Sequence, residues 1–310
     1  MPLDPKAREL LDQLAALGSP PLNELPVPEA RQLLASLLVA PEEPARVAKV
    51  ENRSIPGSAG AIPIRIYTPE GTPPFPVLVW LHGGGWVLGS LETHDALCRS
   101  LARAVPAVVV AVDYRLAPEH KFPAAAEDAY AATAWVAAHA GEIGADARRV
   151  AVGGDSAGGN LAAVVSLMAR DRGGPRLAHQ LLVYPATDAG LEHASMRENA
   201  DGYWLTRDMM AWFWNLYLGG ARDGGSPLAS PLRAQDLRGL PPATVITAEF
   251  DPLRDEGEAY AARLRAAGVP VDLRRWDGMI HGFFAMETIF PQGRAAVEHA
   301  AAALRDGVAR

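Results

Sequence analysis

The chain has 310 residues, 49% hydrophobic and 21% charged, the proportions of an ordinary soluble globular protein. Its net charge is −7, from 36 acidic against 29 basic side chains, and no Lys/Arg-rich run stands out, which sets aside the basic patch that nucleic-acid binders carry. The single cysteine, Cys98, excludes a disulfide framework and a cysteine-rich zinc site. A chain of this length buries about 75% of its unfolded surface and needs no covalent staple. Neither a secretory leader nor an apolar run approaching the ~18 residues of a membrane span is apparent, so the expectation is a cytoplasmic protein without a membrane partner.

Residues 1–45 read as two helices. Ala7, Leu10, Leu11, Leu14 and Leu17 share one helical face, and Leu33, Leu34, Leu37 and Leu38 share another after Pro28. Pro20-Pro21 and Pro41–Pro44 punctuate them. Such helices need something to cover. Two β-leaning stretches, 46–53 and 61–67, flank a Gly-rich turn and predict a hairpin. Short apolar runs then alternate with helical stretches. The runs are Val77–Leu81, Ala107–Val112, Val150–Gly153, Gln180–Tyr184, Ala243–Phe250 and Val271–Trp276; the helices fall near 92–104, 123–140, 157–171, 254–267 and 292–307. Continuous rather than alternating apolar runs suit strands covered on both faces, so the fold class is α/β with a mostly parallel eight-stranded sheet.

The alternation breaks between about 186 and 226, in a stretch that carries Tyr203, Trp204, Trp212, Phe213, Trp214 and Tyr217. It is longer than an ordinary αβ connection and reads as a lid lining an apolar pocket above the sheet, with an insertion packing its own small core as the alternative.

Gly154-Asp155-Ser156-Ala157-Gly158 follows one apolar run and opens a helix. A serine held on a sharp strand-to-helix turn needs tiny residues two before and two after it, because neighbouring backbone passes close by. The helix N-terminus behind it favours negative charge. His82-Gly83-Gly84-Gly85-Trp86 also begins where a strand ends, and successive glycines can expose backbone N–H groups to a developing oxyanion. No Lys-Ser/Thr follows, so this is not a Walker loop.

A serine hydroxyl needs a base, and the base needs an acid to fix its tautomer. Of the eight histidines, His94, His120, His139, His179, His193 and His299 fall in or beside predicted elements, where core or solvated roles suffice. His82 belongs to the glycine loop as a structural hydrogen-bonder. His281 instead follows a strand through the predicted loop Asp277–Ile280 and reaches the sheet edge of Ser156. Asp251 ends the preceding strand and fits the acid; Asp255 and Glu256 lie in the next helix's first turn, where the helix dipole explains them.

Together, His82–Trp86, Asp113–Phe122, Gly154–Asn160, Asp251–Gly257 and His281–Phe283 make the chain resemble the hormone-sensitive-lipase family of α/β-hydrolases, specifically its bacterial and archaeal carboxylesterases, from about residue 45 onward. That resemblance implies one α/β-hydrolase domain over 1–310, with a helical cap built from about 1–45 and 186–226. It implies Ser156 as nucleophile, His281 as base and Asp251 as its acid. The oxyanion hole would be the N–H groups of Gly84, Gly85 and Ala157, with Gly83 shaping the loop. Asp113–Phe122 would brace the elbow from beneath.

The implied activity is hydrolysis of short- to medium-chain acyl esters, small molecules, without cofactor or metal, by a monomer or homodimer. Trp86, Trp204, Met209, Met210 and Phe213 are candidates for the acyl pocket. Two alternatives remain. The same machinery could act on an amide or on an acetylated natural product. A ligand-binding protein could use the scaffold, as plant gibberellin receptors do, although those lack a working triad.

Overall fold

The computed structural model describes residues 1–38, 43–220 and 222–308; positions 39–42, Pro41 included, and 221, all within the predicted cap segments, lie outside the described residues. In chain order the elements are α1 (Pro5–Ala16), α2 (Val27–Leu37), β1 (Lys49–Gly57), β2 (Gly60–Thr68), β3 (Phe75–Leu81), α3 (Asp95–Ala104) and β4 (Val108–Val112). Then come α4 (Ala124–Ala138), β5 (Ala145–Asp155), α5 (Ala157–Asp171), β6 (His179–Val183), α6 (Ala194–Glu198) and α7 (Arg207–Tyr217). The chain closes with β7 (Ala243–Phe250), α8 (Arg254–Ala266), β8 (Val271–Ile280) and α9 (Pro291–Val308).

The described strands form one eight-stranded sheet in the order β1-β2-β4-β3-β5-β6-β7-β8. The hairpin β1–β2 and the β2–β4 pair are antiparallel, and every later pair is parallel. The strand period of two divides each apolar run between two cores. Val77, Val79 and Leu81 face a core shared with α4, α5 and α8, whereas Leu78 and Trp80 face the core closed by α3 and α9. Val108, Val110 and Val112 against Val109 and Ala111 in β4 repeat the division. Both faces are covered, which is why the runs show no polar alternation; each fully buried Val or Leu contributes about 1.5–3 kcal/mol relative to exposure.

β3 connects to β4 on one side of itself, while β5 returns to its other side. The strand order therefore reverses between β3 and β5, and a crevice opens at their carboxyl ends. Both glycine-containing motifs emerge there.

Three element ends differ from the sequence expectation. β5 begins at Ala145, where it pairs with Phe75 across an irregularity, and runs on to Asp155. Asp277–Ile280 is not a loop but the end of β8, which regains its pairing with β7 at Phe250↔Ile280 after a register shift. The sheet resumes at Ala243, where the apolar run Ala243–Phe250 predicts it, so the whole β6–β7 connection stands outside it. Within that connection, Thr206 caps α7 by accepting the N–H of Met209 at 3.1 Å. The buried side chains of α2 and α7, Leu34, Met209, Phe213 and Trp214, join the core on the α4/α5 side.

Candidate active site

Ser156 occupies the turn between β5 and α5 with φ 58° and ψ −118°, a conformation an L residue adopts only under constraint. The constraint is visible on both sides. A Cβ on Gly158 would lie 1.8 Å from the Leu81 carbonyl oxygen, and one on Gly154 would lie 2.4 Å from the same atom. The turn is pinned by Ser156 N–H donating to the Val183 carbonyl at 2.8 Å and by the side-chain amide of Asn160 donating to the Ala186 and Ala229 carbonyls, each at 2.8 Å.

His281 immediately follows β8 and Asp251 immediately follows the neighbouring β7, so adjacent strand ends bring the two together. Its Nδ1 lies 2.7 Å from Asp251 Oδ2. A carboxylate only accepts, so Nδ1 carries the proton and Nε2 presents a lone pair to the Ser156 hydroxyl, 3.0 Å away. Asp251 is wholly buried and its other oxygen accepts the Leu253 N–H at 2.8 Å, which fixes the carboxylate. The ring of Tyr184 lies 4.4 Å from the imidazole and confines it from the side.

The glycine loop closes the site from the β3 side. Gly84 and Gly85 have φ of 117° and 60°. A Cβ on Gly84 would stand 2.3 Å from the Leu88 carbonyl oxygen, and one on Gly85 would stand 2.1 Å from the Phe213 ring. The Gly84 carbonyl accepts from Val87 and Leu88, curling the loop into a tight turn. Ala157 opens α5, so its N–H is one of the helix's first four and has no acceptor within the helix. The N–H of Gly83 is committed elsewhere, to Asp155 Oδ1 at 3.0 Å.

The cleft holds about 70 Å³ and is walled by these groups together with Leu22, Leu34 and Leu38 from the N-terminal helices and Trp204, Leu205, Met209 and Phe213 from the β6–β7 connection. Two predicted pocket residues lie elsewhere. Trp86 is fully buried, stacked on Tyr217 at 4.4 Å and tilted against Trp214 at 4.3 Å, so it anchors α7 to the glycine loop rather than lining the cleft. Met210, one position along α7 from Met209, packs into the core. The α-helical period sends adjacent residues to different faces, which the aromatic density of the segment conceals in sequence.

The Asp113–Phe122 segment braces the glycine loop rather than the elbow. Tyr114 stacks on His82 at 4.3 Å and donates its hydroxyl to the His82 carbonyl at 2.7 Å, and Ala117 N–H donates to the Trp86 carbonyl at 2.9 Å. Glu256 is not simply a first-turn helix charge: it is fully buried and accepts the N–H groups of Thr187 and Asp188, where the chain leaves β6. Burial pushes its carboxyl well above the ordinary range. Asp255 accepts the Ser195 N–H at 2.8 Å and is ion-paired with Arg254, outside the cleft.

Sequence reasoning missed His94. It lines the cleft, is buried, and its Nε2 approaches Asp155 at 3.2 Å. Nothing local marks it, since the contact is made across the sheet. The other histidines given structural roles lie away from the cleft: His139 bonds the Trp135 carbonyl, His179 lies against Thr244, and His193 and His299 face Asp188 and Asp272.

A family profile described as alpha/beta hydrolase fold matches residues 78–285. The chain is 50% identical over 267 residues to the carboxylic ester hydrolase LipN of Mycobacterium tuberculosis, covering 84% of this chain and 71% of that protein. It is 41% identical over 286 residues to an arylesterase of Saccharolobus solfataricus, covering 91% and 92%. A thermostable esterase of Pseudomonas putida superimposes with a TM-score of 0.96 at 43% identity, over 99% of this chain and 98% of that one.

Proposed function

The chain belongs to the α/β-hydrolase fold family, in its hormone-sensitive-lipase-like branch, and is a serine carboxylesterase; from that premise we propose that Ser156, His281 and Asp251 carry the reaction on short- to medium-chain acyl esters. The single observation behind this reading is the unbroken line from Asp251 Oδ2 through both ring nitrogens of His281 to Ser156 Oγ. The proposed cap comprises about 1–45 and 186–226, whose described parts supply the apolar roof of the cleft.

The steps follow from the atoms in place. Ser156 Oγ attacks the ester carbonyl while its proton passes to His281 Nε2, and Asp251 stabilises the imidazolium that forms. The carbonyl oxygen becomes an alkoxide, for which the N–H groups of Gly84, Gly85 and Ala157 are the proposed donors; losing one such donor typically costs ~10²–10³ in rate. His281 returns the proton to the alcohol as it leaves. Water then attacks the acyl-Ser156, giving its proton to the same nitrogen, which passes it to Ser156 Oγ as the acid departs. The glycine loop is rigid before substrate arrives, because each of its turns is fixed by the bonds described above, so little reorganisation is required.

The walls of the cleft are apolar and its volume is small, which supports acyl chains of a few carbons over long ones. Ser156→Ala is expected to lower kcat for p-nitrophenyl butyrate at least ~10⁴-fold with the unfolding midpoint preserved. Residual turnover above a hundredth of the native value in a folded variant would remove Ser156 from the role.

A further inference from the structure

Asp155 has no part in the proton path, yet it is almost wholly buried at the edge of the cleft, one residue before Ser156. Three separate elements meet at its carboxylate. It terminates β5; its Oδ1 accepts the N–H of Gly83, from the loop after β3, at 3.0 Å; and His94, preceding α3, brings Nε2 to 3.2 Å from Oδ1, 3.4 Å from Oδ2 and 3.3 Å from the Gly83 nitrogen. Gly83 is shaped to receive it, since a Cβ there would lie 2.4 Å from Asp155 Oδ2. His94 is itself held: Thr93 Oγ1 lies 2.9 Å from its Nδ1 and accepts the Ser90 N–H at 3.0 Å.

We propose that Asp155 and His94 are a positioning pair that locks the glycine loop onto the serine turn and so fixes the spacing between Ser156 and the oxyanion donors. The inference rests on the esterase reading of the site and adds to it two residues that touch none of the reacting atoms. The carboxylate takes up the Gly83 amide, and the two glycines that follow then sit at the left-handed angles that place them beside Ser156. His82 lies 5.5 Å from the His94 ring but is pushed down to about 4 by burial and by His94, so it stays neutral and the contact with the carboxylate falls to His94. Burial raises the Asp155 carboxyl, but its contact with His94 outweighs burial and holds the group below its ordinary range. A buried carboxylate paired in this way is rigid, as a donor array aimed at a transition state must be.

The test uses Asp155→Asn, His94→Phe and His94→Gln, with every rate expressed per serine titrated by a fluorophosphonate, so that misfolded chains do not count. For p-nitrophenyl butyrate, Asp155→Asn and His94→Phe are expected to lower kcat about 10²-fold with KM within about twofold, the pattern of an interaction realised in the transition state. His94→Gln, which keeps an N–H toward the carboxylate, is expected to recover about tenfold of that loss. Butaneboronic acid, whose serine adduct is tetrahedral, should weaken in step with kcat, while the planar product butyrate should not. Equal weakening of both inhibitors, or kcat within about threefold of native in Asp155→Asn and His94→Phe, would overturn the pair's role. Failure of the native protein to hydrolyse the butyrate would instead overturn the esterase reading.

Discussion

His82 is buried between Tyr114 and His94, and burial, reinforced by His94, pushes its pKa down to about 4 from an ordinary 6.5. The folded value lies below the unfolded one, so between these two pH values the unfolded chain binds a proton that the folded chain refuses. Stability is therefore level above about pH 6.5 and falls as the pH is lowered toward 4, by about 2 kcal/mol between pH 7.5 and 5 from this group. Urea unfolding at those two pH values measures it. The native protein should lose about that much and His82→Asn markedly less; equal losses would mean His82 titrates normally. At the same scale, the meeting of Ser156, His281 and Asp251 was legible because each sits at a strand end that the sequence marks: glycines flank Ser156, and apolar runs precede Asp251 and His281. Met210 was not, because nothing in an aromatic-rich segment tells which face of α7 looks at the cleft and which at the core; nor was Trp86, whose burial comes from stacking on Tyr217 and Trp214, far away in the chain.

The proposed cap would act through its contact with the loop that carries His281. Gly282 follows the histidine at φ 87°, and a Cβ there would lie 3.4 Å from the indole nitrogen of Trp204. Trp204, with Leu22 and Met209, walls the cleft of about 70 Å³ on one side and an outer apolar groove of about 390 Å³ on the other, between the N-terminal helices and the β6–β7 connection. Removing the indole joins the two spaces. Trp204→Ala is accordingly expected to raise the ratio of kcat/KM for p-nitrophenyl octanoate over butyrate by about tenfold, of the order that added methylenes are worth in an apolar pocket. An unchanged ratio would show that another wall limits chain length. Most elements were readable from local pattern, α5 to the residue, because its strand, elbow and apolar face succeed one another without a break. The ends of β5 and β8 were not, since both are extended by pairing with a neighbouring strand, through Phe75 and Phe250, that local sequence does not encode.

Across the whole molecule, the sheet order does the assembling. The reversal between β3 and β5 places the glycine loop and the serine turn side by side, and the adjacency of β7 and β8 sets Asp251 beside His281. Alternating βα units announce a parallel sheet in the sequence, but not the order in which its strands lie. That is why the line through Ser156, His281 and Asp251 could be expected from motifs, whereas the meeting of His94, Asp155 and Gly83 could not: it exists only once the strand order is known. The likeness to the carboxylic ester hydrolase and the arylesterase extends over most of the chain, so it is a likeness of the whole fold rather than of isolated motifs. Among the described residues no helix is long and apolar enough to cross a membrane.

Hydrolysis by this site requires Ser156 to be the group that takes up the acyl unit. The most direct measurement is reaction of the native protein with a fluorophosphonate, followed by intact-mass and peptide analysis while butyrate hydrolysis is monitored. One adduct per chain, confined to the peptide containing Ser156 and appearing in step with loss of activity, is the result predicted. An adduct on another residue, or complete inactivation with Ser156 unlabelled, would contradict it.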